Sequence, residues 1–81
     1  MTIRVQYWSY FKDLTGHAVT TEELPEGGTV EDLLKLLHAR HPKLAALQHS
    51  TLVAVGVDYQ GRSHVLREGD EVSLFPPVQG G

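Results

Sequence analysis

The segment TVEDLLKLLHAR, Thr29–Arg40, restricts the fold more than any other. Val30, Leu33, Leu34 and Leu37 recur at helical spacing and form one apolar stripe. Thr29 is placed to cap the helix, and Glu31 and Asp32 put negative charge in the first turn, where the helix dipole favours it. Pro42 ends the pattern, because the residue before a proline avoids the helical region. A helix with one apolar stripe must lay it on something. Most of the chain reads as short strands and turns, so that surface is a sheet. One helix across one face of a small mixed sheet is an α+β layout. At 81 residues the chain has room for one domain and a single compact core.

The strands are read from period-two alternation. In TIRVQYWSY, Ile3, Val5 and Tyr7 point one way and Arg4, Gln6 and Trp8 the other. YFKDLTG reads as one short helical turn stopped by Gly16. HAVTTEEL is a second, more polar strand expected to pair with the first, and PEGG is a loop. After the helix, KLAALQ forms another turn and TLVAVGV a buried strand. DYQGR reads as a turn, SHVL as a short strand, REGD as a turn and EVSLF as the last strand. The expected order is β, β, α, β, β, β.

Composition narrows the function classes. The net charge is -3 with scattered cations, so no basic patch points to nucleic acid. No apolar run reaches membrane-spanning length and the N-terminus reads as a strand, which leads us to expect no membrane association and a cytoplasmic protein. There are no cysteines, so disulfides, thiolate metal sites and cysteine nucleophiles are excluded. His38 and His41 are three apart on the helix, but no third ligand stands near at metal-site spacing; they read as solvated helix-end residues with no metal. Gly27 and Gly28 precede the helix without the Lys-Ser/Thr pair of a phosphate loop. Asp70 and Glu71 are neighbours at the start of a strand, point to opposite faces and cannot act as a pair. No serine lies in a nucleophile elbow. No catalytic set of side chains emerges, and no bound cofactor is expected.

The tail LFPPVQGG, Leu74 to Gly81, survives this screen. Pro76 and Pro77 fix two backbone angles and favour an extended spacer. The five positions after Pro76 reach about 15 Å. Gly80 and Gly81 lack Cβ atoms, so they can thread a channel too narrow for other residues and leave the terminal carbonyl open to attack. The expected division is a domain over 1–75 and a tail over 76–81. Trp8 lies on the strand face opposite Ile3, Val5 and Tyr7, and Phe75 on the face opposite Val72 and Leu74. If the two outer strands are neighbours, both aromatics share the face away from the helix.

The stretch LVAVGVDYQGRSHVLREGDEVSLFPPVQGG resembles the C-terminal part of the small subunit of molybdopterin synthase, the MoaD-type sulfur carrier. Leu66, Gly69, Asp70, Glu71 and Val72 match its turn and strand, and Pro76, Pro77, Val78, Gly80 and Gly81 match its tail. VQYWSYFKDLTG is similar to its opening strand and helical turn. Gly56 departs from it, standing where many members carry Asn.

The resemblance implies a β-grasp fold, to which the strand-neighbour condition on Trp8 and Phe75 belongs. It also implies a mechanism. An E1-like adenylyltransferase (MoeB-type) spends ATP to adenylate Gly81, a sulfur donor converts it to a thiocarboxylate, and the carrier docks on the large subunit (MoaE-type). Sulfur then passes to cyclic pyranopterin monophosphate. On this reading the chain is no enzyme by itself but the sulfur-donating subunit of a complex, two carriers on a large-subunit dimer. Gly81 carries the chemistry, Gly80 gives channel access, Pro76, Pro77 and Val78 set reach, and Trp8 and Phe75 meet the partners. A ThiS-type carrier of thiamine synthesis, a ubiquitin-like protein modifier and a non-covalent interaction module remain the alternatives.

Overall fold

In the computed structural model of the chain, residues 1–77 are described. The elements are β1 (Thr2–Tyr7), α1 (Phe11–Thr15), β2 (Val19–Glu23), α2 (Val30–Arg40), α3 (Pro42–Ala45), β3 (Leu52–Val55), β4 (Asp58–Tyr59) and β5 (Glu71–Phe75). The five strands form one mixed sheet in the order β2-β1-β5-β3-β4. The first and last strands are parallel neighbours at its middle, with Val5 opposite Val72 and Tyr7 opposite Leu74. β2 pairs antiparallel with β1, and β3 antiparallel with β5. The expected α+β layout is the observed one.

One face of the sheet carries the core. Ile3, Val5 and Tyr7 of β1, Val72 and Leu74 of β5, and Val53 of β3 are buried with the stripe Val30, Leu33, Leu34 and Leu37 of α2. Phe11 of α1 and Leu44 of α3 close the same cluster. Burying each such side chain stabilises the fold by about 1.5–3 kcal/mol.

The start of α2 is held by hydrogen bonds. The Asp32 N–H donates to Thr29 Oγ1 at 3.2 Å, and the Thr29 N–H donates to Asp32 Oδ2 at 2.9 Å, a capping box. The N–H groups of Val30 and Glu31 donate to the carbonyls of His64 and Arg62. The N–H groups that a helix leaves unpaired at its start, here those of Thr29 to Asp32, are thereby all satisfied.

That use of the 60s segment corrects one expectation. SHVL forms no strand; only Val65 makes an isolated bridge, to Thr29. Its carbonyls at Arg62 and His64 serve the helix instead of a sheet neighbour. The fourth strand is found earlier, in DYQGR, the segment expected to be a turn. Asp58 and Tyr59 pair back on Val55 and Ala54 around the two-residue loop Gly56–Val57. Gly56 has φ 62, a left-handed conformation that glycine adopts without strain and asparagine tolerates best among other residues. The exchange of Asn for Gly there keeps the turn.

One charge enters the core side of the sheet. Glu22 is 4% exposed, and its carboxylate accepts a hydrogen bond from Arg40 at the end of α2, 2.9 Å away. The Tyr7 and Thr20 hydroxyls share a hydrogen bond of 2.9 Å, and burial pushes the Tyr7 phenol above its usual pKa. The histidine reading needs correction too. His38 and His41 are half-buried rather than solvated, and each Nε2 is closed off from solvent.

Leu34→Ala should cost about 2–5 kcal/mol in urea denaturation, because it opens a cavity under the helix stripe. Arg40→Met should cost about 1–3 kcal/mol, because it strands a buried carboxylate. Val57→Thr, at a fully exposed loop tip, should change stability by less than about 0.5 kcal/mol.

Candidate functional site: the aromatic face and the tail exit

The chain leaves the sheet from its central strand. β5 ends at Phe75, and Pro76 and Pro77 come next, partly buried. Because β1 runs parallel to β5, its C-terminal end lies at the same end of the sheet. The Trp8 N–H donates to the Leu74 carbonyl at 3.0 Å, extending the ladder one step past β1. Trp8 therefore comes to rest beside Phe75. Their rings stack with centroids 5.6 Å apart and planes 14° from parallel.

The two aromatics expected on the outer face are thus in direct contact there. Tyr59 of β4 joins them, its ring meeting Phe75 edge-on at 6.3 Å. Leu52 of β3 is the cross-strand partner of Phe75. These side chains stay open to solvent: Trp8 is 46%, Tyr59 70% and Leu52 38% exposed. A contiguous apolar cluster left open around one point of a small protein is the usual mark of a contact surface. Shallow grooves flank it. One, of about 430 Å³, lies beside Leu52 and Tyr59; the other, of about 250 Å³, lies between Trp8, Lys12 and Val19.

The turn after Trp8 is strained. Ser9 has φ 54, the only positive φ at a non-glycine residue among the described residues. That conformation costs an L-residue about 1–2 kcal/mol. It lets the chain pass directly from β1 into α1, with the Phe11 N–H donating to the Trp8 carbonyl and the Lys12 N–H to the Ser9 carbonyl. Trp8 is held between the end of a strand and the start of a helix.

On the turn before β5, the Arg67 N–H donates to Asp70 Oδ2 and Gly69 adopts φ 82. Asp70 thus shapes the turn while Glu71 accepts a hydrogen bond from Gln6 on the outer face, so the two carboxylates serve separate structural ends. Among the described residues no group of three or more His, Asp or Glu side chains is placed to hold a metal ion. Val78, Gly80 and Gly81, the remaining expected tail residues, lie outside the described residues.

Sequence reasoning brought Trp8 and Phe75 to one face but missed Tyr59, Leu52 and Ser9. Tyr59 was hidden because its segment reads as a turn. The available signal was Gly56–Val57, a Gly-x pair of the kind that closes two-residue hairpins. Nothing in the sequence marks Ser9, because a left-handed serine is dictated by the elements on either side of it.

A mixed five-stranded sheet with parallel terminal strands at its centre, crossed by one helix, defines a ubiquitin-like β-grasp protein. Residues 5–81 match the ThiS family, and the chain belongs to that family. It is 34% identical to the molybdopterin synthase sulfur carrier subunit of Chlamydomonas reinhardtii, with all of both chains covered. It is 35% identical to the subunit of the same name in Escherichia coli, over 98% of this chain and 99% of that one. Among solved structures, one from Pyrococcus furiosus, described as a candidate subunit 1 of a molybdopterin converting factor, superposes with a TM-score of 0.88. It is 31% identical and covers 96% of this chain and 99% of its own.

Ser9→Gly should fold as well as the parent or melt slightly higher, since it removes the left-handed penalty. Ser9→Val should lose about 1–2 kcal/mol. Thermal melts compare the two. Ser9→Val should also red-shift the emission of Trp8, the only tryptophan, as the ring loosens from Phe75.

Proposed function

We propose that this protein is the sulfur carrier subunit of a molybdopterin synthase. The observation that carries the reading is the end-to-end identity with two carriers of that name, at 34% and 35%. The geometry supports it, because the chain emerges from its central strand at an exposed aromatic cluster and meets a proline pair there.

In this role Gly81 is the reacting residue. A terminal carboxylate, with a pKa near about 3.5, is an anion and a poor electrophile at neutral pH. An adenylyltransferase of the E1 type attaches AMP from ATP and releases pyrophosphate. A sulfur donor then displaces AMP, leaving a thiocarboxylate. On the synthase large subunit that sulfur passes to cyclic pyranopterin monophosphate, and the carboxylate returns. ATP belongs to the activating enzyme, and the acids and bases of each step come from the partners. Gly80 keeps the approach narrow, and Pro76, Pro77 and Val78 set its length and direction. The assembly is two carriers on a large-subunit dimer.

Reach decides where those partners sit. From Pro77 the four residues to Gly81 span at most about 14 Å. An enzyme that takes hold of the terminal carbonyl must cover the ground within that distance, and Trp8, Phe75 and Tyr59 stand at the exit. The aromatic face is accordingly the docking surface for the large subunit and for the activating enzyme.

Deleting Gly81, or adding one residue after it, should abolish sulfur transfer and leave the melting temperature unchanged. A displacement of even 1 Å can cost about a hundredfold in rate, and an added residue moves the carbon by roughly 3 Å. Intact mass of the protein from its native cells should show a gain of about 16 Da, oxygen exchanged for sulfur. Transfer at the parent rate by either variant would end the carrier reading.

Trp8→Ala and Phe75→Ala should each weaken large-subunit binding by at least about 1 kcal/mol in calorimetric titration. Their melts should stay within a few degrees of the parent. Full affinity in both variants would place the docking surface elsewhere.

A further inference from the structure

His41 is the single residue between two helices. Its N–H donates to the Leu37 carbonyl and ends α2, and its own carbonyl accepts from the N–H groups of Leu44 and Ala45 and starts α3. Its ring Nε2 is closed off from solvent and has no hydrogen-bond partner among the described residues. The same holds for Nε2 of His38, one turn earlier. Two sealed, unpaired ring nitrogens within four residues are uncommon, because a buried polar atom without a partner is costly.

We infer that the α2–α3 junction is an acid-sensitive hinge: protonation of His41 and His38 drives their rings toward water and releases α3 from the core.

The groups around the rings determine the direction. His41 faces Arg40 on α2, Glu22 on β2 and His17 in the loop between α1 and β2. Glu22, bonded to Arg40, favours a proton on His41, but less than burial and the neighbouring cation oppose it. A proton on His41 would meet the fixed positive charge of Arg40. His38 faces Arg62 from the 60s segment and Glu31 on its own helix, and those two are paired at 3.4 Å. The remaining charged side chains of the packed elements, Lys12 and Asp13 of α1 and Lys43 of α3, are exposed, as is His49 in the turn after α3. For both rings burial is the larger cause that lowers the pKa, and the neighbouring cation adds to it.

The linkage then has one sign. A ring held neutral in the closed state takes up its proton near the usual pH of about 6.5 once exposed. Above that pH the contribution of these sites to stability is fully present. Below it the open state binds more protons than the closed one, and stability falls as the pH drops. Opening is local because α3 is four residues long and contributes one fully buried side chain, Leu44. β1 and β5 carry the sheet centre and lack such a group.

Nuclear magnetic resonance of the whole chain between pH 7.5 and 4.5 tests this. The ring signals of His38 and His41 should titrate below 6.5. After correction for intrinsic exchange, the Leu44 and Ala45 amides should open severalfold more readily at pH 5 than at pH 7. Amides of Val72 and Leu74 should not change over that range. In His38→Phe/His41→Phe, or in His38→Gln/His41→Gln should the first fail to fold, the acid-side opening should disappear. Ring midpoints at or above 6.5, or α3 and β5 amides losing protection together, would overturn the hinge.

Discussion

The parallel pairing of β1 with β5 is the interaction on which the rest depends. It joins residues 4–7 to residues 71–74, nearly the whole length of the chain apart. Parallel strands cannot be linked by a tight turn, so everything between them must cross over, and the crossover here contains α2. The stripe of α2 then lies on the buried face that these two strands supply. Without the pairing, the helix has no surface to cover and β3 has no central strand to join.

The same pairing builds the aromatic end of the sheet. Parallel strands put two C-terminal ends side by side, so the chain leaving β5 and the tryptophan leaving β1 arrive together. The ring stack between Trp8 and Phe75 is a result of register, as is the place of Leu52 opposite Phe75. One strand pair thus brings the exit of the chain at Pro76 and the exposed aromatic cluster to the same end of the sheet, while the core remains on the other face.

Polar bonding is concentrated where the crossover meets the sheet. The 60s segment gives carbonyls to the start of α2, and the Leu66 N–H donates to the Gly28 carbonyl. At the other end of the helix, Arg40 neutralises Glu22 and His41 turns the chain into α3. The first end is fully paired. At the second, Nε2 of His38 and of His41 have no hydrogen-bond partner among the described residues.

Local pattern alone was sufficient for the α2 stripe, the inward phase of Ile3, Val5 and Tyr7 and the turn at Gly69, because each depends on near neighbours in the chain. The α+β class comes from counting one stripe against several alternating runs. Local preference points to the wrong segment for the fourth strand. SHVL reads as a strand and DYQGR as a turn, yet Asp58–Tyr59 forms the strand behind the Gly56–Val57 loop, while the Arg62 and His64 carbonyls go to a helix distant in sequence. The strained Ser9, the company of Tyr59 at the aromatic face and the burial of the His38 and His41 rings are likewise tertiary. Each arises where elements far apart in the chain close on one another, and no window of sequence contains both sides of such a contact.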